Sequence, residues 1–179
     1  MRIVGGKYKG RVFTPGKTFK ARPTTDMAKE SLFNILYNTI DFEEIRALDL
    51  FSGTGSISYE LASNGCTDIT AVEIDAEHIR FIKEVLEKLK EKNVRVVKTN
   101  VFVFAARIKE QFDLIFADPP YDHPRAGEVA ELVFKNNLLK PGGTFILEHS
   151  GQFDYASHPS FKELRRYGSV HFSIFTLPL

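Results

Sequence analysis

The sequence predicts an α/β fold, a mostly parallel sheet of seven strands with helices on both faces. Three observations predict it. Short apolar runs alternate with amphipathic helical stretches, the pattern of strands covered on both sides by crossover helices. Carboxylates and glycines recur where those runs end, and open α/β sheets bind ligands at that edge. The length of 179 residues and a hydrophobic content of 43% suit one domain with a sizeable core.

The elements follow in order. Arg22-Pro23-Thr24-Thr25-Asp26 reads as a loop ending at a helix start, with Thr24, Thr25 or Asp26 as the N-cap. Leu32, Ile35, Leu36 and Thr39 then recur at helical spacing, with Phe33 widening the stripe. Residues 46–51 form a strand, 52–56 a tight loop, and 57–64 a short helix closed by Gly65. A strand over 69–74 leads to an amphipathic helix over 76–89, with Ile79, Ile82, Val85, Leu86 and Leu89 inward. Strands follow at 94–97 and 112–117. A helix around 129–134 reaches a turn at Lys140-Pro141-Gly142-Gly143, then a strand at 144–148. A weakly signalled strand near 164–166 and a terminal one at 170–175 complete the sheet.

The net charge of +1 hides an asymmetry. Residues 1–25 hold seven of the 24 Lys and Arg (Arg2, Lys7, Lys9, Arg11, Lys17, Lys20, Arg22) and none of the 23 Asp and Glu. A basic arm on an acidic body is the pattern of a face that meets a polyanion. Gly5, Gly6, Tyr8, Gly10 and Phe13 are interleaved with the cations, so residues 1–22 read as a basic β-hairpin and 23–179 as the main domain. Alternation in a strand would put Lys7, Lys9 and Arg11 on one face. The single cysteine, Cys66, excludes an internal disulfide or a multi-cysteine metal site. The histidines, His78, His123, His149, His158 and His171, lack metal-ligand spacing, and surface or capping roles are expected of all of them; no metal is expected. No apolar stretch is long enough to span a membrane, and Met1 to Gly6 lacks the apolar core of a signal peptide, so a cytoplasmic location is the expected default.

Asp118-Pro119-Pro120-Tyr121 is the most informative motif. Alone, it could be a strand-to-loop turn with a capping Asp. Yet two prolines fix the backbone and remove donors, leaving carbonyls free to accept. The carboxylate is a second acceptor, and Tyr121 offers a face on which a base can stack. Such a site grips an exocyclic amine, which presents two N–H donors on a planar ring. Upstream, Gly53-Thr54-Gly55 lets a ligand approach the backbone. Ser58 stands where a dinucleotide fingerprint needs its third glycine, and no phosphate-cradling loop is present. Glu73 ends the next strand, where a carboxylate accepts from both ribose hydroxyls of a nucleoside. A nucleoside cofactor carrying no phosphate fits this set, and S-adenosylmethionine is the candidate.

The chain resembles class I methyltransferases, and within them the RsmD-type enzymes that methylate a guanine amine of 16S ribosomal RNA. Asp49-Leu50-Phe51-Ser52-Gly53-Thr54-Gly55 looks like their cofactor loop and Val72-Glu73-Ile74-Asp75 like their ribose strand end. Asp118-Pro119-Pro120-Tyr121 looks like their target-amine motif. The segment from Arg22 to Asp26 with Glu30-Ser31-Leu32-Phe33-Asn34 resembles the stretch before their cofactor loop, and Gly5 to Arg11 their basic hairpin. The resemblance implies a Rossmann-like fold, a guanine-N2 methyltransferase using S-adenosylmethionine, and 16S RNA, in a small-subunit particle, as partner of a monomeric enzyme. It implies target-amine roles for Asp118, Pro119, Pro120 and Tyr121. Cofactor binding falls to Asp49, Gly53, Gly55, Glu73, Asn100 and Thr24, and RNA binding to Lys7, Lys9, Arg11 and Arg22. Many relatives have an aspartate where Asn100 stands; an amide oxygen can accept the same bond from the adenine amine without charge. Methylation of another amine, such as adenine N6 of RNA or DNA, and an inactive RNA-binding protein on the same fold stay open as alternatives.

Overall fold

The structure is a computed structural model that describes residues 1–16, 19 and 24–179. Arg22, an expected RNA contact, lies outside the described residues. The elements run α1 (Asp26–Tyr37), β1 (Arg46–Leu50), α2 (Ser56–Ser63), β2 (Asp68–Glu73), α3 (Ala76–Leu89), β3 (Val94–Lys98), α4 (Val101–Arg107), β4 (Phe112–Ala117), α5 (Val129–Lys135), β5 (Leu139–His149), β6 (Phe161–Tyr167) and β7 (Val170–Thr176). The seven strands form one sheet in the order β3-β2-β1-β4-β5-β7-β6. The first five in that order are parallel, and β7 is antiparallel to both β5 and β6.

Alternation along the strands divides the core between two faces. Leu48 and Leu50 of β1, Ile115 and Ala117 of β4, and Phe145 and Leu147 of β5 pack with α4 and α5. Ala47, Leu114, Phe116 and Ile146 face the other way and pack with α1 and α2. A third cluster joins α3 to Ile3 and Phe13 of the N-terminal arm.

Strand order reverses between β1 and β4, which is where an open α/β sheet leaves a crevice. Leu50 pairs with Val72 and with Ala117, and Ala117 with Leu147. The residues next along the chain, Glu73, Asp118 and Glu148, therefore reach the same edge at similar height.

Two expectations are corrected, and one helix was not foreseen. Lys140-Pro141-Gly142-Gly143 is not a free turn. It belongs to the irregular start of β5, where the register against β4 shifts and Gly142 N–H bonds to Leu177 and Pro178 carbonyls at 3.0 and 3.1 Å. α4 is a helix that apolar periodicity did not signal. The arm is not a regular hairpin either. Arg2 and Val12 make one antiparallel bridge, and Gly6–Tyr8 is a 3-10 helix. Gly6 sits at φ 68°, and a Cβ there would overlap the Ser63 carbonyl. That close seating on α2 breaks the strand alternation, so Lys7, Lys9 and Arg11 do not share a face by pleating.

The arm is fastened to the domain by buried polar bonds. Lys29 of α1 is fully buried and donates to the Arg2 carbonyl at 2.5 Å and the Ser56 hydroxyl at 3.0 Å, and it pairs with Glu60 at 3.0 Å. Glu60 also accepts from the N–H groups of Val4 at 2.7 Å and Gly5 at 3.3 Å. Tyr8 N–H bonds to the Ser63 hydroxyl at 2.9 Å, and its own hydroxyl donates to Glu91 at 2.8 Å.

Candidate active site

A cavity of ≈ 520 Å³ opens at the reversal point, with walls from the loop after β1, the ends of β2, β4 and β5, and the starts of α1, α3 and α4. Thr24, Asp49, Gly53, Glu73, Asn100, Asp118, Pro119, Pro120 and Tyr121 all line it, so the fold gathers nearly every expected cofactor and target-amine residue into one space. Gly55 does not line it. Its role is conformational: it takes φ 78° before α2, and a Cβ would approach the Tyr59 hydroxyl to 2.5 Å. Lys7, Lys9 and Arg11, on the arm, do not line it.

The loop after β1 is held from within. Gly55 N–H bonds to the Ser52 carbonyl at 2.7 Å, and the buried Tyr59 hydroxyl donates to the Thr54 carbonyl at 2.7 Å. Phe51 and Gly53 have φ 58° and 53°, so the chain doubles back tightly. Asp49 is buried and accepts from Ser58 twice, from the hydroxyl at 2.6 Å and the N–H at 3.2 Å. The serine that spoils a dinucleotide fingerprint thus anchors the strand end. Burial pushes the Asp49 carboxyl up to about 7, against the pull of the Ser58 hydrogen bonds.

Glu73 closes β2 and is buried. Its Oε1 accepts from Ile74 and Asp75 N–H, both at 2.9 Å, and its Oε2 from Gly53 N–H at 2.7 Å. The carboxylate therefore ties the glycine loop to the start of α3. Asn100 caps α4: its Oδ1 accepts from Phe102 N–H at 2.8 Å and Val103 N–H at 3.4 Å. The cap occupies the oxygen that sequence reasoning assigned to an adenine amine and leaves the amide nitrogen for a ligand.

Asp118 follows β4, its N–H 3.4 Å from the Leu50 carbonyl. Burial drives its pKa well above the ordinary carboxylate range, and the neighbouring Glu148 and Asp49 add to the shift. Tyr121 is 40% exposed at the mouth. Among the described residues, no group of His, Cys, Asp and Glu is arranged to hold a metal ion.

The family model described as "Conserved hypothetical protein 95" matches residues 1–176. The chain belongs to this family. It is similar to the ribosomal RNA small subunit methyltransferase D of Buchnera aphidicola, 30% identical over 98% of this chain and 91% of that one. It is 34% identical to the protein of the same name from Escherichia coli, over 80% of this chain and 68% of the other. A solved structure of a hypothetical protein from Thermus thermophilus superposes with a TM-score of 0.88 at 28% identity, covering 99% of each chain.

Within this family member, sequence reasoning passed over several residues of the site. Glu148 is buried, lines the cavity beside Asp118, and accepts from the Thr24 hydroxyl at 2.7 Å. Its signal was available: a carboxylate ending a buried apolar strand, as Glu73 does. Phe51, His78 and His123 also line the cavity. His149, expected at the surface or a cap, is buried, with Nε2 2.7 Å from the Ser173 hydroxyl and Nδ1 2.8 Å from the Ser150 carbonyl. It lies opposite His171 across two paired strands, a register invisible without the sheet.

Proposed function

We propose that the protein transfers a methyl group from S-adenosylmethionine to the exocyclic N2 amine of a guanine in 16S ribosomal RNA, within a small-subunit particle. The observation that carries this reading is the single cavity shared by two sets of residues, the Gly53 loop with Glu73 and the Asp118 motif. The small-subunit methyltransferase names of relatives at 30% and 34% identity support the RNA substrate.

The residues fit such a cofactor. Glu73 stands for the ribose, the Gly53 loop backbone for the methionine end, and the Asn100 amide nitrogen for the adenine. Asp49 and Thr24 complete the wall. The cofactor supplies a methyl group already activated on a sulfonium. The protein's task is the weak nucleophile, whose lone pair is delocalised into the guanine ring. Asp118 accepts one N–H of the amine and the Pro119 carbonyl the other, so the nitrogen can turn its lone pair out of the ring plane. Pro120 fixes that carbonyl's direction. As the S–C bond breaks to leave a thioether and positive charge develops on the amine, the Asp118 carboxylate would stabilise that charge and take the proton the amine loses, and fixed orientation of both reactants lowers the barrier further. Tyr121 stacks on the base once it leaves its pairing. Lys9 and Arg11, both exposed on the arm, contact RNA phosphates. Lys7 is already engaged with Glu91 at 2.9 Å.

Labelled methyl transfer tests the reading. Wild-type protein, S-adenosylmethionine and either 16S RNA or small-subunit particles are incubated, and the product is digested to nucleosides. N2-methylguanosine is expected. Label in N6-methyladenosine would reassign the target amine, and no label in either RNA would remove the ribosomal substrate.

A further inference from the structure

The chain beyond Tyr121 turns twice in quick succession. His123 N–H bonds to the Pro120 carbonyl at 2.9 Å, and Ala126 N–H to the His123 carbonyl at 3.0 Å. These turns keep Arg125 next to the cavity. Tyr121 and His123 line the cavity, and Arg125 N–H bonds to His123 Nδ1 at 3.1 Å. The His123 ring in turn stacks on the buried Phe102 of α4, with centroids 5.7 Å apart and planes inclined by 17°.

Arg125 is held from two directions. Its guanidinium carbon lies over the same Phe102 ring, 3.8 Å from the centroid, close enough for a stacked cation–π contact. Its Nε and Nη2 both donate to Glu128 Oε2, at 2.9 and 2.6 Å, and such bonds lie in the plane of the group and fix its rotation. Yet 50% of the side chain is exposed. With one face on a ring and one edge on a carboxylate, the surface left to solvent includes the outer face. The rotamer freedom that a surface arginine normally loses on binding has been given up already. A phosphate is held by in-plane N–H groups, and Glu128 occupies one in-plane edge and offsets the charge. A nucleobase takes the face instead, as unpaired bases of RNA do on guanidinium planes.

We propose that Arg125, set flat by Phe102 and Glu128, is an RNA-stacking platform that receives the nucleobase next to the target guanine. The proposal rests on the RNA reading above and adds a contact surface that reading does not contain. A base drawn into the cavity leaves its neighbour without a stacking partner, and the platform beside the cavity replaces the lost face. Its role differs from that of Lys9 and Arg11, which meet phosphates as point charges. The competing account is that Arg125 only covers Phe102 from water.

Equilibrium binding to 16S RNA at several salt concentrations separates the two, using wild type, Arg125→Lys and Arg125→Ala/Glu128→Ala. Lysine keeps the charge and loses the plane. The double variant removes the plane and leaves the net charge of the protein unchanged. Both are expected to bind RNA roughly ten-fold more weakly, the effect of one lost base stack, with the dependence of log affinity on log salt unaltered. Thermal melting of each variant checks that the fold is intact, and the lysine variant carries the test if the double one does not fold. RNA with an abasic nucleotide on one or the other side of the mapped target guanine completes it. Against one of these RNAs, wild type and the lysine variant should bind equally. Wild-type affinity in the variants overturns the proposal. So does a flattened salt slope in the double variant, which makes Arg125 a phosphate contact, or a deficit that persists against both abasic RNAs. Failure of wild type itself to bind 16S RNA is a different result, which removes the RNA reading and this platform with it.

Discussion

Two clusters of buried charge lie within this protein, and they are balanced in different ways. At the arm, Lys29 and Glu60 neutralise each other, and Lys29's three donors each have an acceptor. Burial still raises the Glu60 pKa, while Lys29 and two backbone N–H groups pull it down. At the cavity, Asp49 and Asp118 have no ion-pair partner among the described residues. Burial raises both pKa values, and nearby carboxylates add to it, Glu73 for Asp49 and Glu148 and Asp49 for Asp118. The first cluster is complete and holds two pieces of chain together. The second is incomplete in charge, which suits the proposed reaction, where a sulfonium and then an amine acquiring positive charge would face it. Burial alone does not separate a structural charge from a reactive one; the state of its partners does.

The largest effect is expected where the complete cluster is broken. Lys29→Met leaves Glu60 buried without its cation and should destabilise the protein by about 3–5 kcal/mol. Urea unfolding measures it, and Lys29→Met/Glu60→Leu should recover a large part of the loss. An unperturbed single variant would show that the pair is not what holds the arm. Next in size is Asp118→Ala, expected to lower turnover by roughly two to three orders of magnitude with S-adenosylhomocysteine affinity almost unchanged. Comparable turnover in a folded variant would take Asp118 out of the reaction.

A smaller effect sharpens the charge argument. The Asp49 pKa is raised to about 7 and that of Asp118 is raised as well. Each carboxyl is neutral below its raised pKa and ionised above it. A cationic ligand therefore gains attraction to Asp49 as pH rises through about 7, and an uncharged thioether does not. The ratio of S-adenosylmethionine to S-adenosylhomocysteine affinity should grow about five-fold from pH 6 to 8, equivalent to about 1 kcal/mol. A flat ratio in calorimetry would mean that the Asp49 carboxylate does not feel the sulfonium. The smallest effect lies on the outer surface of the arm. Neutralising Lys9 and Arg11 should flatten the dependence of log RNA affinity on log salt by roughly 0.7 per lost phosphate contact on single-stranded RNA. An unchanged slope would leave the arm with its structural role alone.

Much of the fold was legible because the central strands are covered on both faces and so read as unbroken apolar runs; β4 and α3 fall at the expected residues. α4 was not legible, since Val101-Phe102-Val103-Phe104 mixes β-branched and aromatic residues without helical periodicity. Only its cap, Asn100, marked a start. The carboxylates at strand ends stood out as candidates because charge rarely terminates a buried run without reason. Glu148 was missed, as its strand was read for pattern and not for its last residue. The arm misled because its glycines suggest a ribbon, whereas Gly6 is there to let the chain touch Ser63. Contacts between residues far apart in sequence set that conformation, and local pattern does not contain them.

Those distant contacts bear on the order in which the chain becomes a protein. The arm is synthesised before anything it packs on. Val4 waits for Glu60, 56 residues later, and Tyr8 for Glu91, 83 residues later. A growing chain that has not yet reached Glu60 carries the basic arm undocked, at the mouth of a machine built largely of RNA. Docking of the arm thus has to wait for contacts of long sequence separation, which form late in folding. Until then, its basic character is held in check only by the solvent.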